Sequence, residues 1–477
     1  EPYLLCLMSE TAIMSLEEII TTGGDERIEL KSNGRNKYLV DPRSSVGHFN
    51  RGSSTCSPLS EDVITKVKTV YNRLTTGEVT VEDIRIKQRY RIKALLQDSD
   101  TNDFNIFFAP SGSDLCFYPL MYCRIKNLEQ PILSLITCPE ELGTGSILAN
   151  TGHFFSDKTQ IEASVQKGNR ITDGLKVEHI LFPARDADGT IKDNKQAIYS
   201  AIEKYRSTHQ IMVNLVIGSK SGIEDNISII EDGPKDVTWV VDLCQMRATP
   251  KLFNDLLSKN CLLMITGSKF YQSPPFCGAL LVPEKYGNEF NISQIEDASL
   301  EGFTSIYSKY DIPPSYKVLR NKFKAFENIG LTLRWEAAIC ESELLTNYSE
   351  REVTFAIHSW NKHVKEYLKG KELFHLMVDQ DVTNKSIIAF NLIKNGRYLS
   401  NDELKAIYDH MCLNGHKYFP KYDRISTGQP VAYDAHSFLR LALGSLNVRG
   451  LIDSGFDMSD DYKLIDVIEE VANEIFP

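Results

Sequence analysis

Lys269 closes an apolar run, 262-LLMITGSK-269, and a Ser-Pro-Pro turn then leads into a second run, GALLVP (278–283). An amine at the end of a buried strand stands at the mouth of whatever core the two runs build, where it can attack a carbonyl. A second polar residue ends an apolar run in the same way: TWVVDLCQ (238–245) carries Asp242, with Gln245 three residues on. A buried carboxylate is costly unless it is paired. A third run, NIFFAP (105–110), passes through PSGSD (110–114) into an apolar helical pattern. Ser111, Gly112 and Ser113 would then expose backbone N–H groups at a helix N-terminus, an arrangement that suits a phosphate. If adjacent strand ends bring the three together, one pocket holds an anion cradle, a carboxylate and an amine. The competing readings are an ordinary strand-end lysine, a capping aspartate and a plain βα turn.

The chain that must position these residues has 477 of them, 42% hydrophobic and 25% charged, which is the composition of a soluble globular protein long enough for two domains. A net charge of −11 argues against a surface built to gather phosphate backbones, so nucleic acid is not an expected partner. Ten cysteines show no CxxC pair and no regular spacing, so neither a metal site nor a disulfide framework is signalled. Reduced thiols in the cytoplasm are expected. No apolar run approaches the roughly 20 residues of a membrane span, and the opening YLLCLM lacks the basic flank of a signal peptide. No membrane association is expected.

Short β-rich runs recur at ILSLIT (132–137), HILFPA (179–184) and IMVNLVIG (211–218), besides those already named. Helical patterns lie between several of them. In 194–209, Ala197, Ile198, Ala201, Ile202 and Tyr205 share a face, with Asp193 placed to cap. In 249–260, Thr249 caps, Pro250 takes the first helical position, and Leu252, Phe253, Leu256 and Leu257 form the stripe. Alternating strand and helix means an α/β fold, a mostly parallel sheet with helices on both faces. Such sheets bind ligands beyond the carboxyl ends of their strands. After about residue 300 the pattern changes to long helices, then strand candidates ELFHLMV (372–378) and SIIAFNLI (386–393), a helix with a capping box at Ser400 and Glu403, the run FLRLALGS (438–445), and an amphipathic helix from Tyr462. The expected organisation is an irregular N-terminal arm over 1–69, a large α/β domain over 70–310 and a smaller α+β domain over 311–477.

A lysine amine, a carboxylate and a phosphate cradle are what pyridoxal phosphate requires. Its aldehyde needs an amine for a Schiff base, its ring nitrogen a carboxylate to stay protonated, and its phosphate a helix N-terminus. The sequence resembles the fold-type I pyridoxal-phosphate enzymes, and among them the class V aminotransferase and cysteine desulfurase branch. The resemblance rests on VVDLCQ (240–245), TGSKFYQSPPFCGALLVP (266–283), PSGSD and FLRLALGS, in that family's order of elements. It implies a seven-stranded-type sheet and a role for each position. Lys269 would hold the cofactor as a Schiff base, Asp242 would pair with the pyridine nitrogen, and Gln245 would bond the phenolic oxygen. Ser111, Gly112, Ser113 and Thr266 would hold the phosphate with Ser268 close by, and Arg440 would bind a substrate carboxylate. Two departures stand out: Ser268 occupies a place where the branch commonly has histidine, and the ring-stacking place is contested between 140-EELGTG-145 and 153-HFF-155, with His153 the candidate in the latter.

The resemblance further implies a homodimer acting on an amino-acid substrate, with the polar stretch GSSTCS (52–57) contributing to the pocket of one chain or the other. Class V aminotransferase-like transamination leads as the expected reaction. The alternatives are a lyase working by C–S or β-elimination, decarboxylation or aldol cleavage, and a non-catalytic binding protein on the same fold, against which the retained Lys269, Asp242 and Gln245 argue.

Overall fold

The computed structural model describes residues 14–52, 57–97, 103–143, 145–290, 294–382, 384–433 and 436–477. Seven strands form the larger sheet: β2 (Phe104–Ala109), β3 (Ile132–Thr137), β4 (Val177–Phe182), β5 (Gln210–Val216), β6 (Thr238–Asp242), β7 (Leu262–Thr266) and β8 (Gly278–Pro283). Their order is β2-β8-β7-β6-β5-β3-β4. The apolar runs read from the sequence coincide with these strands to within two or so residues at each end.

Side chains alternate across a strand, and here both faces are buried. Leu263 and Ile265 of β7 join one apolar cluster with Trp239 and Val241 of β6 and Leu281 of β8. Their neighbours Leu262, Met264, Val240 and Leu280 join a second cluster on the opposite face. Burial on both faces is why the strands read as continuous apolar runs rather than alternating ones. The helices Lys195–Tyr205 and Pro250–Ser258 cover the first face through Ile198, Ile202, Phe253 and Leu256, and Phe117–Lys126 covers the second through Leu120 and Met121. Thr249 caps its helix as expected, accepting from the Leu252 N–H. Asp193 does not occupy the N-cap position of the other helix, which falls to Asn194; its carboxylate accepts from the Lys195 N–H at 2.9 Å instead.

All neighbours in the sheet run parallel except at β8, which is antiparallel to both β2 and β7. The cause is local. Parallel strands need a crossover, usually a helix, and the Ser-Pro-Pro segment between β7 and β8 holds no helix.

A second sheet runs in the order β1-β12-β13-β10-β11, with β9 also on β10; its strands are β1 (His48–Arg51), β9 (Phe374–Leu376), β10 (Ile387–Lys394), β11 (Arg397–Tyr398), β12 (Arg424–Val431) and β13 (Phe438–Ala442). The capping box at Ser400 and Glu403 starts the helix Asn401–Tyr418. The last helix begins at Ser459, one turn before Tyr462, where Asp460 and Asp461 favour a helix start.

Within the stretch expected to be irregular, β1 pairs in parallel with β12, and Arg51 makes a buried two-point ion pair with Asp461 at 2.7 and 2.8 Å. Val63 and Val67 of the helix Glu61–Thr75 pack on Leu333 and Ala337 of the helix Ile329–Leu345. A Gly, Ser and Asn-rich composition hid these few apolar anchors. Four residues of GSSTCS, 53–56, lie outside the described residues. Among the described residues every cysteine is unpaired and buried, no group of His, Cys, Asp and Glu could hold a metal, and no helix is long and apolar enough to cross a membrane.

Candidate active site

Val216, Asp242 and Met264 are register partners across β5, β6 and β7, so these three strands end at one level. The turns that follow open onto a cavity of about 290 Å³, a size near the lower end for ligand pockets. Asp242, Gln245, Lys269 and Arg440 all line it. The structure therefore brings four of the sequence-derived candidates together, beyond the carboxyl ends of the strands as the fold demands.

Each is held by its neighbours. The Asp242 carboxylate accepts from the Cys244 N–H at 2.8 Å. Gln245 is buried, and its Oε1 accepts from Arg247 Nε at 3.4 Å. The turn bearing Lys269 sits on the helix Ile329–Leu345: Trp335 Nε1 donates to the Gly278 carbonyl at 3.1 Å, and a side chain on Gly267 would lie 2.3 Å from Ala338 Cβ. Arg440 lies on β13 opposite Gly428 of β12, and its Nη1 donates to the Gln429 carbonyl at 3.0 Å. Ser268 is buried beside Cys277.

Ser111, Gly112, Ser113, Thr266 and Ser268 do not line this cavity; the expected phosphate loop packs behind residues that do. A side chain on Gly112 would meet Cys244 Sγ at 3.0 Å, so the loop and the turn after β6 are in close contact. Ser113 Oγ is 3.3 Å from Ser146 Oγ, and a side chain on Gly143 would touch both hydroxyls. Two expected donors are engaged elsewhere. Ser111 caps a short helix and donates to Asp114 Oδ2 at 2.6 Å, while Thr266 donates to the Cys244 carbonyl at 2.7 Å. Burial pushes Asp114 up to about 7 against the Ser111 hydrogen bond.

His153 does not reach the cavity. The chain turns away at Gly152, which has a φ of 74°, and His153 pairs with Arg170 in a β-bridge while its Nδ1 meets Thr151 Oγ1 at 3.1 Å. Of the two stretches that competed for the ring-stacking place, the one at 140–145 lines the cavity, through Glu141, Leu142 and Gly143. Thr144 lies outside the described residues.

Among the lining residues Arg27, Lys37, Tyr38 and Lys220 carried no sequence signal, and Glu141 only as part of the stretch 140–145. Arg27 forms a buried ion pair with Asp25, stacks between Phe155 and Phe276, and reaches Ser111 Oγ at 3.4 Å. With Lys37 and Tyr38 it brings part of the N-terminal stretch to the pocket of its own chain. Glu141 is buried and accepts from the Ser219 and Ser221 hydroxyls, the Ser221 N–H and the Tyr433 hydroxyl. Lys220, on the turn after β5, is half-buried and faces the cavity. Burial first, and then Arg440 and Lys269, push its amine down to about 7, opposed by Glu141.

The fold has counterparts among solved structures. The chain superposes on the cysteine desulfurase CsdA from Escherichia coli with a TM-score of 0.54 at 13% identity, covering 89% of this chain and 94% of that one. A NifS-like protein from Rickettsia africae ESF-5 gives 0.55 at 12% identity, over 89% and 99%. This is the fold of the fold-type I pyridoxal-phosphate enzymes. Oryza sativa TDC, solved with PLP and tryptamine, gives 0.54 at 11% identity over 93% of this chain and 85% of that one. At these identities the likeness is one of fold. No protein-family model matches the sequence, and no curated protein matches it.

Proposed function

We propose that the chain is a pyridoxal-phosphate enzyme that transforms an amino acid, with class V aminotransferase-like transamination as its reaction. The observation that carries this reading is the sharing of one cavity by Lys269, Asp242 and Gln245, joined there by Arg440. The residues present fit the group. Basic side chains outnumber acidic ones around the cavity although the chain as a whole carries −11. Ser113 and Ser146 converge behind Gly143, which lines the cavity, Arg27 brings a guanidinium to the same loop, and Asp114 near 7 is readily protonated and so does not oppose an anion.

Pyridoxal phosphate, when bound, supplies an electron sink for negative charge developing at the substrate's Cα. Lys269 would hold its aldehyde carbon, Asp242 would keep its ring nitrogen protonated, and Gln245 would donate to its phenolic oxygen. Arg440 would grip the substrate carboxylate as a two-pronged donor. Once displaced by the incoming amino group, the Lys269 amine would be the base that takes the Cα proton and would then deliver it to the carbon that had been the cofactor's aldehyde, the proton movement that transamination needs. The same reading takes the working species to be a homodimer.

Protein incubated with pyridoxal phosphate should gain a visible absorption band, and borohydride reduction with peptide mapping should leave the adduct on Lys269. No band, or an adduct on another lysine, would overturn the assignment. A panel of amino acids then separates transamination, which yields a keto acid and an amine-bearing cofactor, from lyase chemistry, which does not.

A further inference from the structure

Lys220 is one of four lysines that line the cavity, with Lys37, Lys269 and Lys405, and the proposed function gives it no role. It follows the end of β5, next to the β6 end that carries Asp242, and it lines the cavity with Lys269 and Arg440. Among the described residues, no carboxylate or carbonyl accepts a hydrogen bond from its Nζ. Of the three carboxylates that line the cavity, Glu141, Asp242 and Asp409, Glu141 acts on its charge and is already occupied by Ser219, Ser221 and Tyr433, with Arg185 3.9 Å away. A half-buried amine that feels the charges of Arg440 and Lys269 and has no acceptor of its own is disfavoured in its charged form. A ligand that brings its own negative charge removes that cost.

We infer that Lys220 and Arg440 together form a two-point anion site, so that the substrate is an amino acid carrying a second acidic group, a carboxylate or an isosteric acid. The inference rests on the proposed amino-acid reading, because Arg440 is taken to hold the first carboxylate. The groups facing Lys220 are Glu141 on the turn after β3, Lys269 on the turn after β7 and Arg440 on β13. With the amine near 7 in the free protein, it is charged on the acid side of neutrality and loses its proton above it. The second acid is therefore held tightly below that point and progressively less so as the pH rises.

The test uses inert probes on cofactor-loaded protein: succinate, glutarate and adipate against butyrate, measured by calorimetry. On the acid side of neutrality at least one diacid should bind about tenfold or more tightly than butyrate, the size expected for one charged hydrogen bond. Lys220→Met should remove that advantage and leave the butyrate affinity in place. Lys220→Arg, which stays charged, should keep it, and keep it into alkaline solution where the parent loses it. That contrast also serves if Lys220→Met does not fold. A parent with no diacid preference, a preference that survives Lys220→Met, or equal pH profiles for parent and Lys220→Arg would overturn the inference. The borohydride adduct on Lys269 is read separately, so loss of the diacid preference in a protein that still carries the adduct refutes the second acid and not the cofactor.

Discussion

Gly428→Ala is the sharpest probe of Arg440, because it displaces the guanidinium while leaving the arginine itself in the sequence. An added Cβ would lie 2.2 Å from Arg440 Cγ, 2.7 Å from Nε and 3.0 Å from Cδ. Carbon atoms settle at about 3.5–4.0 Å, so the arginine stem must retreat by more than about 1 Å. The backbone itself accepts alanine, since Gly428 is not among the residues of positive φ. In a strand that exchange recovers about 0.5–1 kcal/mol, against about 1–3 kcal/mol for overpacking. The fold should therefore stand with a melting temperature close to the parent's. Recognition should not. A fork that reads a carboxylate through two parallel hydrogen bonds tolerates little displacement, and losing one charged hydrogen bond costs about 1.5–3 kcal/mol. Calorimetric titration with butyrate should show an affinity about 10- to 100-fold weaker, and Arg440→Lys should show a similar loss because it lacks the fork. A Gly428→Ala protein that keeps its melting temperature and binds butyrate as the parent does would show that Arg440 is not the carboxylate site.

Two further outcomes are expected. Asp242→Asn should still take up the cofactor on Lys269 and lose nearly all exchange of the substrate's Cα hydrogen in deuterated buffer, since the shape is kept and the negative charge is removed; exchange at the parent rate would make Asp242 structural. Asp114 has a folded pKa raised to about 7 from 3.8, so the folded state holds its proton more tightly than the unfolded one, and this residue's share of stability is present below about 4 and lost as the pH rises through about 7. Urea unfolding across that range should show a decline in the parent that is flattened in Asp114→Asn; equal slopes in the two proteins would refute the burial of that carboxyl.

How much of this was legible in the sequence follows from where each signal is stored. The larger sheet was readable because both its faces are buried, so each strand appears as an unbroken apolar run; Asp242 marks the end of β6 directly, and Lys269 follows the end of β7 by three residues. Arg440 was readable for the same reason, as a charge between apolar neighbours on β13. The antiparallel turn of β8 was implicit in the missing crossover helix. By contrast, Glu141, Lys220 and Arg27 sit in turns and in the N-terminal stretch, where charged residues are ordinary, and only three-dimensional packing separates them from solvent-facing ones. Lys220 in GSKSG looks like any loop lysine until Arg440, from the other sheet, is set beside it. His153 failed for the complementary reason: its residue type was apt, but a left-handed glycine just before it turns the chain elsewhere. A strand end fixes a side chain's direction through the period of the strand, whereas a loop residue's direction depends on partners far away in the chain. Arg440 on β13 is a residue of the first kind and Lys220 in its turn one of the second, so the two ends of the proposed anion site were unequally visible in the sequence, and only the fold sets them beside one cavity.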